Sequence, residues 1–272
     1  MADDERTAER TEGEEPAVAL RGLSVGRAGR PILSDIDLEA APGEILALIG
    51  ASGCGKSPLL RTAEGLLPPV AGRVEIGGRV FAEAGRETPG DVRRAALREF
   101  GALFQGDALF GSMTVLENVA FPLREFTELP SDLVLETARL RLAQVGLLAA
   151  ADRLPSEIGG GAARRAGLAR ALALDPRVLF LDEPAAGLDP ADAAGLDELI
   201  LRLRDAQGVA VVLATRDPAG LRRLADRAAF LSAREHRMLE AGVPAEMAEG
   251  SEFAEVRAFF NRAPEGVQGD RT

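Results

Sequence analysis

The sequence predicts an α/β fold, a mostly parallel β-sheet with helices on both faces. Three observations point there. From residue 177 onward, short apolar strand-like runs alternate with helical stretches, the rhythm of a parallel sheet joined by crossover helices. The run at 45–49 (Ile-Leu-Ala-Leu-Ile) lacks polar alternation, as expected of a strand buried on both faces. That run leads directly into a glycine-rich stretch at 50–57 that opens a helix, so strand, glycine loop and helix follow one another without interruption.

The elements follow in order. Residues 1–16 carry seven acidic and two basic side chains with almost nothing apolar, and read as a disordered, solvated acidic tail. An N-terminal antiparallel β part comes next. Its strand-like runs at 17–25, 36–40 and 44–49 are separated by Gly26, Gly29, Pro31, Pro42 and Gly43. A helix is expected to about residue 65, a hairpin-like stretch over 73–81 and a short helix over 91–98. Residues 114–172 are mostly helical with a break at 155–161, so a helical subdomain spanning about 106–172 is read as inserted into the sheet. Strands at 177–181, 209–214 and 228–231 then alternate with helices at 191–204 and 218–225. One domain is expected over 17–247, followed by a C-terminal helix and loose tail over 248–272.

Bulk composition excludes several classes. No run of 18 apolar residues exists, so no membrane span is expected. The acidic start lacks an apolar core, which argues against a secretory signal, and a lone cysteine agrees with a reducing cytoplasm. A net charge of −11 argues against nucleic acid as the main partner. Tyr and Trp are absent, so few rings can stack on a base.

Of 32 basic residues only one is a lysine, Lys56. It lies in Gly50-Ala51-Ser52-Gly53-Cys54-Gly55-Lys56-Ser57, which fits G-x-x-x-x-G-K-[ST], the phosphate-binding loop of P-loop NTPases and their RecA-like sheet. Glycines let the backbone wrap phosphates, and N–H groups at the helix start point toward them. A compact ammonium fits beneath a polyphosphate where a planar guanidinium does not. Lys56 is therefore expected to neutralise the phosphates of the ligand, and the Ser57 hydroxyl to ligate Mg²⁺. A second motif, Val178-Leu179-Phe180-Leu181-Asp182-Glu183-Pro184, reads as a buried strand delivering two acids to its C-terminal edge. Alone it could be a strand ending in a solvated acidic turn. Behind a phosphate loop it reads as Asp182 holding Mg²⁺ through water and Glu183 acting as base for an attacking water.

Three further segments carry a resemblance: Phe104-Gln105 after a short apolar strand, Ile158-Gly159-Gly160-Gly161-Ala162-Ala163-Arg164-Arg165 opening a helix, and Gly187-Leu188-Asp189-Pro190 past the acidic pair. In this order and spacing they resemble the Q-loop, signature motif and D-loop of ATP-binding cassette (ABC) ATPases, over about residues 17–247. The stretches 103–110 (LFQGDALF) and 112–125 (SMTVLENVAFPLRE) are similar to the Mla-type phospholipid-transport ATPases. The resemblance implies ATP and Mg²⁺ as ligands, with Lys56, Gln105, Glu183 and Arg216 at the reaction centre and Ser57, Gln105 and Asp182 around the metal. It further implies a dimer with a second ATP-binding subunit, identical or different, in which Gly159, Gly160 and Gly161 face the partner's nucleotide. It places the pair under a membrane permease at the inner face of the cell membrane, with Gln105 and the stretch after it as permease-contact candidates and the lipid handled by the partners.

The departures from that pattern fall on the nucleotide. No aromatic residue occurs between positions 17 and 44, and the place of the family's adenine-stacking ring falls near Val25. Stacking is worth ~1–3 kcal/mol per base, so base grip is expected to be weaker. Arg27 is an alternative stacking group, against the plainer reading of a solvated turn arginine. Pro58 removes an N–H and a hydroxyl beside the α-phosphate, Gly159 replaces the signature serine, and Arg216 stands where a histidine is usual. Arginine keeps a positive charge but exchanges no proton near neutral pH. The single histidine, His236, reads as a surface turn residue, Cys54 as a structural thiol, and Arg164 and Arg165 as scaffold or surface charges. Two functions stay open: an ATPase coupled to transport, with a rate weakened by Pro58, Gly159 and Arg216, and a nucleotide-binding module with little or no hydrolysis.

Overall fold

A computed structural model of the chain describes residues 15–27, 30–106 and 109–261, with the side chain of Arg27 outside that description. The expectations for the acidic tail before residue 15, for the polar C-terminal end beyond 261 and for Arg27 as a stacking group therefore fall outside the described residues. Two sheets form the frame. The larger has six strands: β10 (Arg237–Gly242), β9 (Arg227–Ser232), β3 (Ile45–Ile49), β8 (Ala210–Ala214), β7 (Val178–Asp182) and β6 (Phe100–Leu103), in that spatial order. All neighbours pair in parallel except β10 with β9. β3, β7 and β8 are buried along their whole length, which is why their sequences show no alternation.

The smaller, antiparallel sheet has the order β2 (Arg30–Ala40), β1 (Val18–Arg27), β4 (Ala71–Ile76), β5 (Arg79–Glu83). It packs with helix α1 (Lys56–Ala63) on one face of the six-stranded sheet, against Leu46, Leu48, Phe180 and Val212. The opposite face, presented by Ile45, Ala47, Ile49, Leu179 and Leu181, is covered by the remaining core helices. After the peripheral α2 (Gly90–Ala96), these are α3 (Val115–Phe126), α4 (Ser131–Gln144), α5 (Gly160–Ala171), α6 (Pro190–Gln207), α7 (Pro218–Leu224), α8 (Pro244–Gly250) and α9 (Ala254–Phe260).

Local chemistry sets the element ends. α3 starts at a capping box: Glu117 N–H donates to Thr114 Oγ1 at 3.1 Å while Thr114 N–H donates to Glu117 Oε2 at 2.8 Å. Inside α3 the fully buried Asn118 amide donates to the carbonyls of Phe110, Met113 and Thr114, and its oxygen accepts from Phe110 N–H, which staples the preceding loop to the helix. Asp189 caps α6 by accepting from the N–H groups of Ala191 and Asp192, both at 2.9 Å. Asp217 does the same for α7.

The strand expected at 36–40 starts earlier, at Arg30, and forms one long hairpin with β1. Register shifts and a positive φ at Asp35 interrupt its apolar pattern, and Pro31 is tolerated because β2 is an edge strand. β10, another edge strand, was not expected from its sequence, since most of its side chains are half-exposed. The break between α4 and α5 holds two short 3₁₀ turns, Leu148–Ala150 and Pro155–Glu157, and is wider than the 155–161 expected.

Glu64, which ends α1, is an ionisable residue in an apolar setting. It is 2% exposed, and its Oε2 has no hydrogen-bond partner. Burial, reinforced by the nearby Asp182 charge and opposed by Arg61, pushes its carboxyl from 4.5 to about 8. The folded chain thus holds a proton that the unfolded chain releases as pH rises above 4.5. Stability falls with rising pH across that window and levels off above about 8. Glu64→Gln removes the liability, so the metal-free variant should gain on the order of a few kcal/mol over the parent at pH 8 and less than about 1 kcal/mol at pH 5. Urea unfolding at the two pH values reads this, and an equal gap at both would contradict it.

Candidate functional site

The loop after β3 is built on glycines in conformations that other residues rarely adopt. Gly50, Gly53 and Gly55 have φ of 141°, 80° and 106°. At Gly50 a Cβ would also lie 2.3 Å from the Leu231 carbonyl oxygen of β9, so the loop passes flush against the next strand. Lys56, the first residue of α1, is 6% exposed. Its Nζ donates to the carbonyls of Gly50 at 2.8 Å and Ala51 at 3.2 Å, and lies 3.7 Å from Cys54 Sγ. The ammonium is curled under the loop against neutral acceptors. Cys54 is buried, and desolvation pushes its thiol up despite Lys56 beside it, so it is held as a thiol rather than a reactive thiolate.

Across the sheet, β7 ends in the acid pair. Ser57 Oγ donates to Asp182 Oδ1 at 3.0 Å, which brings a hydroxyl and a buried carboxylate together beside the phosphate loop. Hard oxygen donors of this kind suit Mg²⁺, which usually completes its shell with water and substrate phosphates. Among the described residues no cluster of three or more His, Cys, Asp or Glu side chains could cage a metal alone. The next residue, Glu183, has φ of 50°, an unusual value for a residue with a side chain and worth about 1–3 kcal/mol of strain. The strained turn is held by Glu183 N–H donating to Ala214 O at 2.9 Å and Ala186 N–H donating to Glu183 O at 3.1 Å. Arg216 Nε donates to Glu183 Oε1 at 2.8 Å. The resemblance implies a place for Arg216 at the reaction centre; here its guanidinium meets the candidate base directly.

Glu183 and Arg216 line one open cleft of about 430 Å³, together with Ser52, Gly53, Cys54, Gly55, Lys56, Ser57, Pro58 and Gln105, while Asp182 lies behind it, bonded to Ser57. Gln105 reaches it from the segment after β6 and is exposed. Gly159, Gly160 and Gly161 do not line the cleft. They start α5 without a side-chain cap, with Gly159 and Gly160 exposed and Gly161 pressed against Asp192, whose Oδ2 would lie 2.3 Å from an added Cβ. Val25, within β1 of the antiparallel sheet, is fully buried and offers no face to a base. Instead Ile32 lines the cleft beside Gly55. Sequence reasoning missed it because Ile32 precedes the phosphate loop by 18 positions and joins it only through the long β1–β2 hairpin. His236 sits in an exposed turn, with Nδ1 3.1 Å from the Ile32 carbonyl.

The arrangement of phosphate loop, hydroxyl–carboxylate pair and strained glutamate agrees with the comparisons. The ABC transporter family matches residues 33–186, more than half of the chain. The chain is the ATP-binding subunit of an ABC transporter. It is 40% identical over 215 residues to the intermembrane phospholipid transport system ATP-binding protein MlaF of Escherichia coli, covering 79% of this chain and 78% of that protein. It is 36% identical over 245 residues to the probable ribonucleotide transport ATP-binding protein mkl of Mycobacterium leprae, covering 90% and 69%. Among solved structures, cbiO1 of Clostridium perfringens, part of the ABC transporter complex cbiONQ, superposes with a TM-score of 0.77 at 25% identity over 88% of this chain and 93% of that one. A dimeric post-hydrolysis state of the ATP-binding cassette MJ0796 bound to ADP and Pi gives 0.73 at 25% identity, over 84% and 98%. The ABC family binds and hydrolyses ATP, and no helix among the described residues is long and apolar enough to cross a membrane.

In this ABC subunit Pro58 occupies the third position of α1, where helix N–H groups have no intrahelical partner and proline is tolerated. Its carbonyl still accepts from Thr62 Oγ1 at 2.9 Å, so the helix is intact and the loss is confined to the donors facing the cleft. Hydrogen bonds to charged groups are worth about 1.5–3 kcal/mol. Pro58→Thr should therefore tighten ADP binding about tenfold or more by isothermal titration calorimetry, and a Kd within twofold of the parent would refute the assignment.

Proposed function

We propose that this ABC subunit is a Mg²⁺-dependent ATPase whose hydrolysis drives phospholipid movement across the cell envelope, as one half of a dimer beneath a membrane permease. The observation that carries the reading is the gathering of Lys56, Ser57, Gln105 and Glu183 around one cleft with Asp182 bonded to Ser57. On this reading the loop N–H groups of 50–57 and Lys56 bind the β- and γ-phosphates. Mg²⁺, held by Ser57, Gln105 and Asp182, would supply charge neutralisation at those phosphate oxygens. Glu183 accepts the proton of the water that attacks the γ-phosphorus as the bond to the β-phosphate oxygen breaks, giving ADP and phosphate. The three signature glycines, lying outside their own chain's cleft, are assigned to the nucleotide of the second subunit. The similarity to MlaF supports a phospholipid cargo. The peripheral place at the cytoplasmic face follows from the permease, with the lipid handled by the partner subunits.

The second reading, a nucleotide-binding module with little turnover, is favoured by one contact. Glu183 is bonded to Arg216, which cannot relay a proton. Phosphate release from the purified chain with ATP and Mg²⁺ separates the two. A slow rate is expected that disappears with EDTA and with Glu183→Gln, and that rises at least tenfold in Arg216→His, within the ~10²–10⁴-fold range of acid–base assistance. A parental rate equal to that of Glu183→Gln would leave the nucleotide-binding module as the function.

A further inference from the structure

Arg164 is a buried cation that the proposed reaction does not use. It lies on the first turns of α5, is 6% exposed, and forms no ion pair among the described residues. Its Nη1 donates to the carbonyl of Gly106, the residue after Gln105. Its Nη2 donates to the carbonyl of Ala186 at 3.2 Å, in the turn that opens at Glu183. The third donor, Nε, is buried without a partner. A guanidinium stays charged at any ordinary pH, and burying one against neutral acceptors alone costs free energy that simple packing does not repay.

The helix that carries it is firmly seated. A Cβ on Gly101 of β6 would lie 2.0 Å from the Ala171 carbonyl of α5, and one on Gly167 of α5 would lie 2.6 Å from Leu103 of β6. α5 and β6 are thus in close contact, and Arg164 extends from that fixed base to the two loops. The planar fork matches the task, because its two terminal nitrogens diverge toward acceptors on different segments.

We infer that Arg164 is a positioning residue that fastens the Gln105 segment and the Glu183–Gly187 turn to α5, so that the two ends of the cleft shift as one unit. A displacement at Gln105 would reach the Glu183 turn through one side chain rather than through the sheet. The inference rests on the proposed function only for its kinetic consequence.

Hydrogen exchange of the nucleotide-free full chain tests it without any turnover. Arg164→Met should accelerate exchange severalfold in peptides carrying residues 104–106 and 184–188, and leave those of β3 and β8 unchanged. Arg164→Lys, which keeps the charge but not the fork, should give a smaller acceleration at the same two places, and it carries the test if the methionine variant fails to fold. Unchanged exchange at either loop overturns the proposal, as does an acceleration spread equally over β3 and β8. In the kinetic arm Arg164→Met should lower kcat at least tenfold with the Kd for ADP within twofold, and an unchanged kcat overturns the coupling. Should the parent show no hydrolysis above Glu183→Gln, the ATPase reading fails while the exchange result still decides the role of Arg164.

Discussion

Parallel pairing across β3, β8 and β7 is the constraint on which the site depends. Leu48 pairs with Ala214, and Ala214 in turn pairs with Asp182, so three strands end at one level. The phosphate loop leaves the sheet from β3, Thr215 and Arg216 leave from β8, and Glu183 leaves from β7, all at that edge. Two cross-strand bonds tie the exits together: Thr215 N–H to Leu48 O at 3.1 Å and Glu183 N–H to Ala214 O at 2.9 Å. A slip of one residue in β7 would turn Asp182 to the other face and separate it from Ser57. Complete burial of β3, β7 and β8 prevents that slip, because it would force the acid into the core in place of Leu181. Hydrophobic burial thus fixes the positions of polar groups that contribute little to stability themselves.

Within that frame the two kinds of basic side chain do different work. Lys56 must fit inside a loop of a few residues and satisfy its ammonium on carbonyls converging from one side. The arginines span gaps instead. Arg164 joins two loops and Arg204 joins Asp226 to the Gly43 carbonyl, while Arg216 reaches from the end of β8 to the end of β7. The single lysine of the sequence marks the one place where reach is a disadvantage.

The parts legible in the sequence were those whose signal is local. An unbroken apolar strand, glycines at fixed spacing and acids at a strand end each report their own backbone environment, and the loop, β7 and the alternating second half formed where they were read. Contacts between segments far apart in sequence gave no such signal. Nothing in Leu213-Ala214-Thr215-Arg216 says that its arginine meets Glu183, and nothing near Ile32 says that a hairpin carries it to Gly55. In the sequence Arg164 has the pattern of a scaffold or surface charge, because its burial against two carbonyls is set by β6, α5 and the turn after β7 together. The early start of β2 and the existence of β10 were hidden because edge strands carry irregular, half-exposed patterns.

Grip and turnover in this cleft rest on separate residues. On the proposed reading, binding a polyphosphate draws on the loop backbone, Lys56 and Ser57, which are fixed by buried strands, by the Lys56 bonds within the loop and by the Ser57–Asp182 bond across it. Turnover, on the proposed reading, draws on Glu183, whose carboxylate shares one oxygen with Arg216. That pair is partly exposed on the arginine side, so its net contribution is no more than about 1 kcal/mol, enough to bias the orientation of the glutamate without locking it. A polyphosphate near Arg216 would present several negative charges against the one on Glu183, so binding itself works against the pair. Neither arrangement lets the arginine pass a proton, so on the proposed reading that substitution lowers the rate.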